Sequence, residues 1–227
     1  PQTVAPSSIM ASISGLPLVP PEKRNPMLTT SYGTGELIRD ALERGCRNFI
    51  IGIGGSATND AGLGMLQALG FRFLDKEGKI LETGNGKILM EVVSIDTSFV
   101  HPDLRTSHFT VACDVQNPFY GLEGAAYIFA PQKGADRKMV EALDAGMKNF
   151  AEVIFHTTGK DISNHSGTGA AGGMGGSLLA FLNAKLKPGI QLMLETLDFS
   201  NKIKGADLII TGEGKADKQT LMGKVPS

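Results

Sequence analysis

Phe49-Ile50-Ile51-Gly52-Ile53-Gly54-Gly55-Ser56-Ala57-Thr58-Asn59-Asp60 joins a short apolar run to clustered glycines, small hydroxyl residues and an acid, and a helical pattern opens at Ala61. The order predicts a strand over 49–53, a tight loop, and a helix over 61–69 closed by Gly70. At such a helix N-terminus, free backbone N–H groups and the helix dipole favour a bound anion. Gly54 and Gly55 allow close approach of a ligand because no Cβ intervenes. Ser56, Thr58 and Asn59 can donate to phosphate or carboxylate oxygens, and Asp60 can hold a cation or accept a proton. An ordinary strand–helix turn uses the same residue types, glycine for the bend and an acid or hydroxyl for the cap.

Two more loops repeat the design. Residues 109–113 read as a strand running into Asp114-Val115-Gln116-Asn117-Pro118, followed by Gly121 and Gly124, and 207–210 as a buried strand running into Thr211-Gly212-Glu213-Gly214-Lys215-Ala216-Asp217. Each has glycine and a carboxylate just past the strand's C-terminal end, the edge at which open α/β sheets bind ligands. Three such loops predict one shared polar cleft.

Composition narrows the function classes. The 227 residues are 41% hydrophobic and 20% charged, so the chain can bury a sizeable core. With 29 glycines, 6% aromatics and no Trp, glycine-bearing ligand loops are favoured over an aromatic binding surface. A net charge of −1 without a dense Lys/Arg cluster argues against nucleic acid as a partner. Cys46 and Cys113 make neither a disulfide framework nor a zinc site, which suits a reducing cytoplasm. No apolar stretch approaches the ~18–20 residues of a membrane span, and no signal peptide is visible.

Along the chain, residues 1–35 read as an irregular, proline-rich connection, and 36–227 as an α/β domain with partial elements of a second domain near its end. A helix is expected over 36–44, with Gly45 terminating it. Residues 71–74 and 79–81 flank a hairpin turn at 75–78. Residues 90–95 and 126–130 are expected as strands, and 137–157 as a long helix burying Val140, Leu143, Met147, Phe150, Ala151 and Ile154. The stretch 167–176 holds six glycines in ten residues, which serve either close helix packing or a backbone loop lying against a ligand. A helix over 189–197 follows Pro188. The alternation predicts a largely parallel sheet flanked by helices.

Several stretches together resemble the bacterial glycerate kinases of the type I family: Gly15-Leu16-Pro17-Leu18-Val19-Pro20, Gly33-Thr34-Gly35-Glu36-Leu37-Ile38, GIGGSATNDAGLG at 52–64, Ala112-Cys113-Asp114-Val115, Pro131-Gln132-Lys133-Gly134-Ala135, Gly169-Ala170-Ala171-Gly172-Gly173-Met174-Gly175, and residues 206–215. The resemblance spans nearly the whole chain in the family's order. It implies the inserted domain of a two-domain α/β kinase, without the strand and Ala-Pro-Asp-Ser-Phe-Lys-type loop at which family members begin. A chain lacking that loop is expected to have little activity by itself. The implied reaction transfers the γ-phosphoryl group of ATP to D-glycerate, with Mg²⁺, most often giving 2-phosphoglycerate.

Phosphoryl transfer needs donors around the phosphates, carboxylates for Mg²⁺, and a base near the attacking hydroxyl. The resemblance therefore implies Asp60, Asp217 and Lys133 as catalytic candidates. Gly54, Gly55, Ser56, Thr58, Asn59, Gly212, Gly214 and Lys215 would bind substrate or nucleotide, and Asp114 and Glu213 the metal. Each has a plainer alternative: Asp60 a helix cap, Asp114 a turn-forming residue, Lys133 a solvated turn lysine, Glu213 and Asp217 partners of Lys215 in a local ion pair. No Gly-x₄-Gly-Lys-Ser/Thr loop occurs, and His101, His108, His156 and His165 carry no expected role. Two rival functions remain: a non-catalytic small-anion-binding module, against which the acids in three loops speak, and a dinucleotide-dependent dehydrogenase, which lacks the isolated acid that recognises ribose.

Overall fold

A computed structural model describes residues 9–208. Its main sheet has three parallel strands in the order β1 (Asn48–Gly52), β4 (His108–Ala112) and β5 (Lys185–Lys187). β1 and β4 run in register from Asn48 opposite His108 to Gly52 opposite Ala112. The two strands share one burial pattern: Phe49, Ile51, Phe109 and Val111 are buried, Asn48 and His108 exposed, and the remaining residues half-buried. This is the period of two that sends successive side chains to opposite faces. Phe49 and Phe109 are stacked across the pair with ring centroids 4.7 Å apart. The expected strands at 49–53 and 109–113 are thus present, each one residue early, with both C-terminal ends on one sheet edge.

The third strand differs from expectation. β5 has three residues, two of them lysines, too short and polar to stand out by pattern. Asp207 and Leu208 are not in a strand; the rest of the expected 207–210 strand and its loop lie outside the described residues. β2 (Arg72–Leu74) pairs antiparallel with β3 (Ser94–Asp96), and the turn at 75–78 closes with Asp75 N–H donating to Lys79 O at 3.0 Å. The segment expected as a strand over 90–95 divides between a 3₁₀ turn at Gly86–Met90 and β3.

Helices cover this framework. Residues up to 35 are not wholly irregular: α1 (Ile9–Ile13) buries Met10, and α2 (Tyr32–Glu43) starts four residues ahead of expectation. Gly35 lets α2 cross closely over α3 (Leu63–Ala68), since a Cβ there would lie 2.3 Å from Met65 O. Residues 126–130, expected as a strand, form α4 (Ala125–Phe129). A five-residue apolar run cannot separate helix from strand by period, and its two alanines favour helix. α5 (Arg137–Thr158) is held at its start by Asp136, whose side chain accepts from Met139 N–H, and ends at left-handed Gly159. It buries all six anticipated residues, and Phe150 meets Phe73 edge-on at 5.8 Å. α6 (Met174–Phe181) follows the glycine-rich stretch, and α7 (Gly189–Thr196) and α8 (Phe199–Lys202) follow β5. No helix among the described residues is long and apolar enough to cross a membrane.

Candidate active site

The C-terminal ends of β1 and β4 open into a cavity of about 250 Å³. β1 leads into Ile53, Gly54, Gly55 and Ser56, and β4 into Cys113, Asp114 and Val115; Leu16, Phe129, Gln132, Lys133, Ala170 and Ala171 complete the wall. Parallel strands place their following loops on one edge, which explains why two loops 60 residues apart share a cavity.

Lys133 is the least ordinary group there. It ends a 3₁₀ turn at Pro131–Lys133, and left-handed Gly134 then packs against Arg24, so the side chain is turned inward and only 2% exposed. Its Nζ donates to Ser56 Oγ at 2.8 Å and Thr58 O at 2.6 Å. Burial pushes the ammonium down to about 7, partly opposed by the negative charge of Asp60. Lys133 is therefore no solvated turn lysine.

Asp60 occupies a different place. It is fully buried and absent from the cavity wall. Its carboxylate accepts from Ser31 N–H at 2.7 Å, Ser31 Oγ at 2.6 Å, Gly62 N–H at 3.2 Å and Gly64 N–H at 3.3 Å. Burial raises its pKa, and these four donors pull the other way. Ser31, Gly62 and Gly64 thus engage both oxygens of the Asp60 carboxylate.

The same contacts correct the expectation of an anion at this helix N-terminus. α3 starts at Leu63, after left-handed Ala61 and Gly62, and is six residues long. The Leu63 N–H goes to Asp60 O, and Met65 N–H to Ser31 Oγ. With Gly62 and Gly64 bonded to the Asp60 carboxylate, the first turn is already satisfied within the protein. Thr58 and Asn59 are likewise interior. Thr58 Oγ1 and Asn59 Oδ1 are buried without a hydrogen-bond partner among the described residues.

Asp114 does reach the cavity, exposed, and its carboxylate accepts from Gly189 N–H, the first residue of α7, at 2.8 Å. Among the described residues no group of three His, Cys, Asp or Glu is placed to hold a metal ion. Cys113, half-buried on the wall, has its thiol pushed up by burial, which keeps it neutral. None of the four histidines lines the cavity. Gly212, Glu213, Gly214, Lys215 and Asp217 lie outside the described residues.

The glycine-rich stretch packs closely against its neighbours, and two of its residues border the cavity. Ala170 and Ala171 line the cavity, with Ala171 at φ +52°. Gly172 (φ +65°) lies against Thr58, where a Cβ would sit 2.2 Å from its carbonyl oxygen, and Gly172 O accepts from Ala61 N–H at 2.9 Å. Ser177 Oγ donates to Ala61 O, adding a second tie. Leu16 and Gln132 fall in stretches that carry the family resemblance without an expected role of their own, and Phe129 lies in a short apolar run with no chemical pattern.

Comparison with known proteins gives this edge a context. Residues 9–227 match the model of the glycerate kinase family. A glycerate kinase of Haemophilus influenzae is 55% identical over 217 residues, 96% of this chain and 57% of the relative. A glycerate 2-kinase of Escherichia coli K12 is 51% identical, with the same coverage. A crystal structure of a candidate glycerate kinase 2 from Salmonella typhimurium LT2 superposes with a TM-score of 0.88 at 50% identity, covering 96% of this chain and 58% of that one. The chain thus spans a little over half the length of the relatives it matches.

Proposed function

This chain belongs to the glycerate kinase family, and we propose that its protein transfers the γ-phosphoryl group of ATP to D-glycerate, giving 2-phosphoglycerate. The observation that carries this reading is the buried Lys133 amine, pinned beside Ser56 on the wall of a cavity at the strand ends. Both substrates are anions, and phosphoryl transfer is chiefly positioning and charge stabilisation. Ser56 supplies a donor backed by the charge of Lys133, and Gly54 and Gly55 leave the entrance open. Mg²⁺ bound with the nucleotide would neutralise phosphate charge. Asp114 would give it one carboxylate oxygen, which suits an ion that takes one or two protein carboxylates besides substrate phosphates. Glu213, Lys215 and Asp217 keep the metal, nucleotide and catalytic roles implied by family resemblance. A cytoplasmic setting follows from ATP as donor.

The test is ATP-dependent turnover of D-glycerate by the protein at the relatives' full length, with phosphorus NMR to distinguish 2- from 3-phosphoglycerate. Accumulation of the 2-phosphate is expected. Binding of glycerate without turnover would favour the anion-binding module instead.

Gly54 provides a finer check. It is exposed, its φ is not left-handed, and an added Cβ would meet nothing within 4 Å. Neither backbone nor packing demands glycine there, so a requirement would come from the ligand. Gly54→Ala should leave the melting temperature unchanged or slightly higher, since losing glycine stabilises by about 0.4–1 kcal/mol where the conformation is compatible. Its kcat/KM should fall at least tenfold, on the order of 1.4 kcal/mol. Unchanged kinetics would remove Gly54 from the binding surface.

A further inference from the structure

We propose that Ser56 is the residue that grips an anionic oxygen of the ligand, and that Lys133 is a positioning residue acting through it, by fixing the direction in which the Ser56 hydroxyl donates. The inference rests on the cavity being the glycerate site.

An ammonium group has donors only. Because Lys133 Nζ donates to Ser56 Oγ at 2.8 Å, the Ser56 oxygen is the acceptor and its own hydrogen must find another partner. No second partner for this hydroxyl exists among the described residues, and Ser56 lines the cavity. A ligand oxygen in the cavity is the acceptor within reach. Thr58 O takes a second Nζ hydrogen at 2.6 Å, which anchors the head group and keeps it on Ser56.

The arrangement reverses when the amine loses its proton. A neutral amine carries a lone pair, so the Ser56 hydroxyl can donate to Nζ across the same 2.8 Å while Nζ still donates to Thr58 O. The Ser56 lone pairs then face the cavity and repel an anion. Burial holds the Lys133 amine to about 7, so both arrangements are populated near neutral pH. The titratable groups around it are Asp60, whose negative charge favours the ammonium, and Cys113 and Asp114 on the shared cavity wall. Asp114 is engaged by Gly189 N–H, and the Cys113 thiol is pushed up and stays neutral through this range.

The experiment is calorimetric binding of D-glycerate at pH 6, 7 and 8.5 to the wild-type protein, Ser56→Ala, Ser56→Thr and Lys133→Met. Wild-type affinity should fall about tenfold or more from pH 6 to 8.5. Ser56→Ala should bind about tenfold or more weakly at pH 6, the loss expected for one charge-assisted hydrogen bond, and its affinity should no longer change with pH. Lys133→Met should be weak and equally flat. Ser56→Thr, which keeps a hydroxyl, should restore both affinity and pH dependence. If Ser56→Ala keeps the wild-type pH dependence, Lys133 touches the ligand directly and the proposal is wrong; a flat wild-type profile also overturns it. If wild-type protein binds no glycerate at any pH, the functional reading fails. The same series with inorganic phosphate then tests the clamp alone, and no phosphate binding would overturn it.

Discussion

Replacing Gly172 by alanine should cost about 4 kcal/mol or more, at the exceptional end of single substitutions. Two effects add. The residue sits at φ +65°, where an L side chain loses roughly 1–2 kcal/mol. Its Cβ would also lie 2.2 Å from Thr58 O and 2.6 Å from Asn59 Cα, backbone atoms that cannot step aside. Gly45→Ala separates the two effects, because Gly45 has φ +86° with nothing within 4 Å of an added Cβ. That variant should pay only the conformational part. Denaturant unfolding of both variants against wild type is the measurement, and equal losses in the two would show that the close approach of the glycine-rich stretch to the 56–60 loop is unimportant. Because Thr58 O also anchors Lys133, the surviving folded fraction of Gly172→Ala should bind ligand poorly.

Stability should rise with pH between 7 and 9, by on the order of 2–3 kcal/mol from Lys133 alone, since one pKa unit corresponds to about 1.36 kcal/mol. The folded amine titrates at about 7 and the unfolded one at 10.5. Below 7 both states are protonated and the native state bears the full cost of a buried ammonium. As pH rises towards 10.5 the native state is neutral while the unfolded chain still holds its proton, so the cost is progressively relieved. Asp60, with its pKa raised by burial, contributes with the opposite sign as pH climbs out of the carboxylate range. Cys113, also raised, subtracts stability only towards and above the ordinary thiol value of 9.0. The difference between wild type and Lys133→Met, followed by denaturant midpoint at pH 6.5, 7.5 and 8.5, isolates the lysine. A difference that does not change with pH would mean that the amine is not held neutral by burial.

Sequence pattern revealed the parts of this fold that repeat a period over enough residues. The strands at β1 and β4 stood out as apolar runs ended by polar loops, and α5 as a long stripe of apolar residues between Asp136 and Gly159. α4 and β5 did not, because five and three residues are too few for the period to decide. In the site, the residue types were legible but their directions were not. Asp60 and Lys133 each looked suited to a cleft. Local spacing cannot say that Ser31, 29 residues earlier, would occupy the Asp60 carboxylate. Nor can it say that Lys133 would cross from a turn after α4 to reach Ser56, 77 residues away in sequence. Those contacts are set by how segments meet, which no single segment records.

The wall of the cavity has a consequence for how the protein folds. Its residues run from Leu16 through the ends of β1 and β4 to Ala170 and Ala171, and its two strands are adjacent only after the long crossover between them has closed. Contacts so distant in sequence form late, after loop-closure entropy has been overcome. No nascent or partly folded stage in which only neighbouring stretches have condensed contains a cavity. Ligand capture therefore selects the completed assembly, and cannot template any earlier one.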